Sequence, residues 1–402
     1  MKEYQQRQEA VNRHLLGEKV TMIARLMSKS RKWVHHWIKR YKSHPSDINW
    51  FKDESKAPKK VNNTLDGELE KQVLFIRKEL MNEKMAQIGA ISIQYEFERR
   101  GIKPIPATWT INRVIAKHGL NKQTSSYKTP KDYPELYWHT HQMDLVGPRY
   151  IKGDGKFYSV NLIDVTSHSC FVKAVRTKSS ENIVSAISSF WQTHGLPDAL
   201  QMDNELAFRG SNRYPRSFGS VVRFALSQGV APVFIPVSEP WRNGMIEKFN
   251  HTYQKKFLQT RTFENLADLS VYEQSFIDFH NNHHRYSSQG HKTPDETRLL
   301  LLPPVYYKGI IHLPALKKGT ELKIPLTRGC VYYIRFIRSD LRLFLSNESF
   351  TLKPELKYSY VVAEINIDNQ SLIVRQNNEI IQVFDYPIDA VSWQPSCHRS
   401  KS

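Results

Sequence analysis

Residues 138–177 read WHTHQMDLVGPRYIKGDGKFYSVNLIDVTSHSCFVKAVRT, and this stretch decides the fold. Three runs, WHTHQMDLVG, GKFYSVNLIDV and SCFVKAVRT, are parted by turns such as Gly147-Pro148 and Gly153-Asp154-Gly155. Alternation with turn residues at the breaks predicts three strands in an antiparallel meander. Further on, SSENIVSAISSFWQTHG predicts an amphipathic helix ended by Gly195, and ALQMDN a short strand. SFGSVVRFALSQGV, APVFIPV and MIEKFNHTYQKKF then predict helix, strand and helix. The order β-β-β-α-β-α-β-α points to a mixed α/β domain in which parallel strands extend the meander.

Three acids stand out in this domain. Asp144 lies inside the first strand, where Met143 and Leu145 point to the other face. An acid mid-strand is disfavoured unless it is paired or ligated. Asp203 ends the fourth strand, and loops at strand C-termini commonly build sites in such sheets. Glu247 opens the last helix, a single acid beside Lys248, Lys255 and Lys256. Ile246, Phe249, Tyr253 and Phe257 form the apolar stripe of that helix, so Glu247 falls at the rim of the buried face. The helix dipole alone favours an acid there, which leaves a reading without function open. Asp203 follows Asp144 by 59 residues and Glu247 follows by another 44. Only the folded sheet could bring the three together.

The flanks differ in character. Residues 1–60 carry 15 Lys and Arg against 6 acids. Within them VTMIARLMSKSRKWVHHWIKRYK predicts helix, turn, helix, with Ser30 as N-cap and Val34, Trp37, Ile38 and Tyr41 inward. Arg31, Lys32, His35, His36 and Lys39 form the outer face of the second helix. That pattern fits a helix-turn-helix reaching a major groove; the plain alternative is a helical hairpin with a solvated face. Residues 43–64 read as a linker. A helix near 65–83 and the pair in ISIQYEFERRGIKPIPATWTINRVIAKHGL make a second helical unit, Thr108 or Thr110 capping and Arg113 and Lys117 outside. Residues 121–137 read as another linker. Beyond about residue 300, TELKIPLTR, CVYYIRFIR, LRLFLSN, YSYVVAEINI and SLIVRQ predict a small all-β barrel or sandwich.

Composition narrows the partners. The chain has 402 residues, 58 Lys and Arg against 39 acids, and net charge +19. Such a surplus implies a polyanion, because each phosphate neutralised releases counterions. No apolar run approaches 20 residues, so no membrane partner is expected. The N-terminus has no signal-peptide core, and Cys170, Cys330 and Cys397 are scattered, which fits a reduced cytoplasmic setting and excludes a Cys-rich zinc module. His280, His283 and His284 with Asp278 invite a metal reading. Without Cys or suitable helical pairing, a polar loop is favoured.

As an ordered set, Asp144 in WHTHQMDLVGP, Asp203-Asn204 in ALQMDNELAF, and Asn243-Gly244 with Glu247 in PWRNGMIEKFNHTYQKKF resemble the DDE catalytic core of insertion-sequence transposases and retroviral-type integrases. Leu162-Ile163-Asp164 and HNNHHRYSSQGHKTPDE extend the likeness over roughly 138–300, and ATWTINRVIAKHGL resembles bacterial insertion-sequence transposases. The resemblance implies an RNase H-like catalytic core at 131–300 in a multi-domain α/β chain. All-α helix-turn-helix units would occupy 1–60 and 61–130, and a small β-barrel with its tail 301–402. It implies catalytic, metal-binding roles for Asp144, Asp203 and Glu247. Mg²⁺ is the implied cofactor, with Mn²⁺ able to substitute, and the reaction is polynucleotidyl transfer. Double-stranded DNA, both element ends and target, is the implied partner, with a homo-oligomer at synapsis in a bacterial, nucleoid-associated setting. The chemistry fits on its own terms: two hard cations about 3.5–4 Å apart activate an attacking oxygen and stabilise a leaving one. Lys248 and Lys255 become candidate DNA contacts, with solvated helix lysines as the alternative.

This chain departs from the family pattern in places. Glu205 stands where Gly is usual, Ser167-His168 where Ser-Arg is common, and Arg285-Tyr286 where Arg-Pro is. The longer Asp203–Glu247 step is assigned to the basic loop FRGSNRYPRSFGS. Asp164 is read as a turn acid, not a ligand. Two other functions stay open: a domesticated sequence-specific DNA-binding protein with an inactive core, and an RNase H or resolvase-like nuclease.

Overall fold

The structure, a computed structural model, describes residues 3–53, 67–120, 133–134, 136, 138–210, 216–301, 303–309, 326 and 328–388. It comprises two compact units, Met1–Leu65 and Asp66–Ser402.

In the first unit, α1 (Glu3–Leu15), α2 (Val20–Leu26) and α3 (Arg31–Ser43) enclose Ala10, Val11, Ile23, Ala24, Val34, Trp37 and Ile38. Ser30 caps α3 by accepting the Trp33 N–H at 3.1 Å, satisfying one of the donors a helix start leaves free. The expected linker begins later than residue 43. Trp50 packs on Tyr41 with ring centroids 5.2 Å apart, and Phe51 O accepts from buried Arg7 at 2.9 Å. A polar, broken stretch thus folds back because its two aromatics find the helices.

The second unit opens with α4 (Gly67–Asn82), α5 (Ala90–Arg99) and α6 (Thr108–Lys117). Neither threonine caps α6; Ala107 occupies the N-cap position with no side-chain bond. Val73, Ile76, Ile93, Phe97, Ile111 and Val114 are buried.

The sheet that follows contains β1 (Thr140–Ile151), β2 (Gly155–Asp164), β3 (Cys170–Val175), β4 (Ala199–Met202) and β5 (Ala231–Phe234), with α7 (Ser180–His194), α8 (Leu206–Arg209) and α9 (Ser220–Ser227) between them. α10 (Gly244–Tyr253), α11 (Leu266–His283) and α12 (Pro294–Arg298) come next. β1, β2 and β3 pair antiparallel, and β4 and β5 add parallel to β1. Strand alternation then sorts the two faces. Met143, Val160 and Leu162 pack with Ile187, Phe190 and Trp191 of α7 and Phe224 of α9. Phe157, Ile163 and Val172 pack with Ile246, Phe249 and Tyr253 of α10 and Phe276 of α11. Gly195, at φ +94°, ends α7, and a Cβ there would lie 2.4 Å from the Pro304 side chain. The α4–α6 segment is bonded to this core: His284 Nε2 meets Met85 O at 2.8 Å, and Arg285 N donates to Gln87 Oε1 at 2.7 Å.

Two expectations are overturned by the fold. The separate C-terminal barrel takes another form. β6 (Cys330–Phe336), β9 (Tyr360–Asn366), β10 (Ser371–Gln376) and β11 (Glu379–Asp385) join the sheet, while β7 (Arg342–Leu345) and β8 (Glu348–Thr351) pair as a hairpin. Among the described residues the sheet is nine-stranded, ordered β11-β10-β9-β6-β5-β4-β1-β2-β3. β6 adds parallel to β5 at Val233↔Tyr332 and Phe234↔Tyr333, and Phe234 stacks on Tyr333. Residues 278–284 are not a polar loop: His280 and His283 finish α11, and buried His280 and His284 bond to His168 O and Met85 O. Most of TELKIPLTR, most of the linker 121–137 and residues 211–215 of the basic loop lie outside the described residues. Among the described residues no helix is long and apolar enough to cross a membrane.

Candidate active site

The parallel ladder of β1 and β4 pairs Thr140↔Ala199, His141↔Leu200 and Gln142↔Gln201. Two residues further along, Asp144 comes level with Asp203. Period two puts both carboxylates on the face of Gln142 and Gln201, on strands about 4.8 Å apart.

The same face receives α10, and polar side chains set its position. Gln201 Nε2 donates to Arg242 O at 3.1 Å and to Asn243 Oδ1 at 3.2 Å. Asn243 Nδ2 donates to Met143 O at 3.1 Å, and Gln142 Oε1 accepts the Ile246 N–H at 3.0 Å. One turn after Glu247, Asn250 Nδ2 donates to Asp144 Oδ2 at 2.7 Å, and its Oδ1 accepts from Asn161 Nδ2 at 2.8 Å. Residues i and i+3 share a helix side, so half-buried Glu247 lies on the side of α10 that meets Asp144. Deeper along the helix, Tyr253 donates to Glu273 Oε1 of α11 at 2.5 Å and lies 2.9 Å from Ser159 Oγ of β2.

All three acids are pushed up, burial being the first cause of each. Burial pushes Asp144 up to about 7; the Leu145 N–H opposes this, and Asp203, Glu247 and Glu205 add repulsion. Burial also raises Asp203, with Glu205 adding to it and the Glu205 N–H and Lys178 opposing. Burial raises Glu247. Lys178 spends its charge on Glu205. Repelling carboxylates, with hard oxygen donors, are what a divalent cation relieves. The donor set therefore fits Mg²⁺ or Mn²⁺.

A tighter cluster lies elsewhere. Among the described residues only His139, His141 and Asp164 bring ligand atoms within 4.8 Å of one another; Asp144, Asp203 and Glu247 do not draw that close. The histidine cluster is on the opposite face, against α7. Trp191 Nε1 donates to His141 Nδ1 at 3.2 Å. That bond leaves the ring hydrogen of neutral His141 on Nε2, so neither nitrogen has a lone pair free for a cation. Burial holds His141 down to about 3, so the ring stays neutral. Asp164 accepts from Thr166 N at 2.8 Å and Ser167 Oγ at 2.6 Å and pairs with His139 at 3.1 Å. Asp164 is thus a turn acid with its lone pairs in use.

Arg31, Lys32, His35, His36 and Lys39 are all exposed on α3. Arg113 and Lys117 are exposed on α6, but Lys117 Nζ is held 2.9 Å from Glu70 Oε1. Lys248 and Lys255 are exposed, the first on α10 and the second in the π-helical turn Gln254–Leu258 that continues it. The sequence reading missed Gln142, Gln201 and Asn250. Gln142 and Gln201 each precede an acid by two along a strand, and Asn250 follows Glu247 by three, so periodicity could have found them.

Residues 228–294 match the family model of the integrase core domain. No curated protein matches the chain. Among solved structures, the HTLV-2 integrase catalytic core domain in complex with magnesium is 18% identical, covering 40% of this chain and 95% of that one at TM-score 0.31. The BIV integrase catalytic core domain is 15% identical over 40% of this chain and 94% of its own, TM-score 0.29. A simian T-cell lymphotropic virus intasome in complex with PP2A regulatory subunit B56 gamma is 15% identical over 73% of this chain and 93% of that chain, TM-score 0.35. The segment 228–294, which includes Glu247 and the α10–α11 pair, is thus similar to the integrase core domain.

Proposed function

We propose that the protein is a DNA transposase that cleaves 3′ ends at the terminal inverted repeats of its element and joins them to target DNA. The observation that supports this is the β1–β4 register, which pairs Gln142 with Gln201 two residues before Asp144 and Asp203, together with the bond from Asn250 of α10 to Asp144. Asp144, Asp203 and Glu247 would hold two Mg²⁺ ions, or Mn²⁺ in their place. When bound, the ions supply Lewis-acid activation of the attacking oxygen and neutralise charge on the phosphate. The chain's own part is positional: Gln142, Gln201 and Asn243 hold the start of α10, and Asn250 orients the Asp144 carboxylate. Lys248 and Lys255 would contact phosphates from their exposed positions. Arg31, Lys32, His35, His36 and Lys39, with Arg113 and Lys117, are proposed to read element ends, Lys117 after leaving Glu70. Segments 1–60, 61–130, 131–300 and 301–402 are the proposed functional divisions, acting in a synaptic homo-oligomer in the bacterial cytoplasm.

The test is a joining assay with the purified chain, a supercoiled target plasmid and duplexes copied from the DNA flanking its gene. Joined products that require Mg²⁺ and vanish with a chelator are expected. End binding without cleavage in any divalent metal would favour the inactive-core regulator, and cleavage without joining would favour a nuclease.

Asn250→Ala is expected to lower joining roughly 10- to 100-fold, the worth of one hydrogen bond to a carboxylate. The loss should be larger at low Mg²⁺ than at saturation. A Mg²⁺ titration superimposable on that of the unmodified chain would remove Asn250 from the site.

A further inference from the structure

Arg335 lies on β6, far along the chain from the three acids, and it is an unusual cation. It is 9% exposed, and among the described residues its guanidinium meets no carboxylate. Nη1 donates to Ile235 O at 3.0 Å and Ile334 O at 2.9 Å, and Nη2 donates to Asn204 Oδ1 at 2.7 Å. Burial lowers it to about 10, so it stays charged at neutral pH. Burying a guanidinium on neutral acceptors costs several kcal/mol, so the fold gives up stability to put this group here.

What it grips is Asn204, the residue after Asp203. Asn204 Nδ2 donates to Ile235 O at 2.7 Å, and Asn204 O accepts from Arg209 Nε at 2.9 Å. Arg209 is itself anchored on Ser346 Oγ at 3.3 Å, between β7 and β8. On the other side, Asp203 Oδ1 accepts the Glu205 N–H at 2.9 Å. Both arginines that hold Asn204 therefore depend on the C-terminal strands, and the loop they fix carries the Asp203 carboxylate.

We infer that Arg335 is a positioning residue for the metal site: the C-terminal strands supply a buried guanidinium that clamps Asn204 and so holds Asp203 in place for a divalent cation. This rests on the metal role proposed for Asp203. Lysine cannot replace the clamp, because one ammonium on a flexible stem does not reach Asn204 Oδ1 and the two carbonyls with the fixed fork of arginine.

The full-length chain without DNA tests this by Mn²⁺ binding, read from the loss of the free-ion electron paramagnetic resonance signal. Arg335→Lys and Asn204→Ala should each raise the Mn²⁺ dissociation constant about tenfold. The double variant should be no worse than the worse single variant, since both break the Arg335–Asn204 contact. Arg216→Lys serves as the control. Arg216 also ties the core to the C-terminal strands, through Glu348 at 3.0 Å, but does not touch Asn204. It should lose comparable thermal stability and keep the Mn²⁺ affinity of the unmodified chain. Asn204 is only half-buried, so Asn204→Ala should fold even if Arg335→Lys does not. Unchanged Mn²⁺ affinity in a folded Asn204→Ala, with binding still lost in Asp203→Asn, would overturn the positioning role alone. No Mn²⁺ binding by the unmodified chain would overturn the metal assignment and this role together.

Discussion

Asp203→Asn is expected to cut metal-dependent joining at least about a thousandfold, the equivalent of roughly 4 kcal/mol of transition-state stabilisation. The same change should leave the fold intact and raise its melting temperature slightly. The reason is electrostatic. Asp203 adds to the repulsion that lifts Asp144, so a neutral amide relieves the metal-free fold while removing a proposed metal ligand. Its Oδ1 still accepts the Glu205 N–H that Asp203 accepts. Glu247→Gln should behave alike. Asp144→Asn should lose activity equally but also cost stability. Asp144 accepts from Leu145 N and Asn250 Nδ2 on separate oxygens, and an amide has one oxygen to offer. Joining assays beside thermal melts decide the matter: Asp203→Asn that joined ends at the original rate would end the assignment of the acids.

Glu273 carries the second large effect, on stability rather than chemistry. It is 2% exposed, accepts from Tyr253 and from Ala174 N at 2.9 Å, and burial raises it from 4.5 to about 7 against those bonds. The folded state thus prefers the protonated acid. Below pH 4.5 both states are protonated and no stability is lost. Between 4.5 and about 7 the unfolded chain ionises first, and stability falls with rising pH by about 3 kcal/mol. Glu273→Gln keeps an acceptor for Ala174 N and a donor for the Tyr253 hydroxyl, which can turn toward Ser159. It should match the original chain near pH 4 and exceed it by up to about 3 kcal/mol at pH 8. Urea unfolding at both pH values measures this, and equal pH slopes in the two proteins would refute it.

The elements of the core and the identities of its acids were legible because they are local. Alternation marked β1 to β3, Gly195 ended α7, and Asp144 stood out as a charge inside a strand. What escaped depends on pairing across long separations. Nothing near Asn250 says that its amide meets Asp144, 106 residues away; sheet register and helix docking decide that. CVYYIRFIR reads as a strand, but its apolar pattern does not name β5 as its neighbour, so the C-terminal strands looked like a domain of their own. The role of Arg335 gave no sign of itself, because sequence does not tell a solvated arginine from one buried on carbonyls. The histidines at 280–284 looked like a loop, because their burial depends on the α4–α6 segment packing against them.

The continuity of the sheet bears on how this chain can be cut for study. A fragment ending near residue 300 would strip β6 from β5 and bare the Phe234 ring, leaving a row of open backbone donors and acceptors as an edge. Such an edge is a template for pairing with a neighbouring copy. An isolated core of this kind should therefore come out of cells as aggregate, whereas a version running through Asp385 should stay in solution.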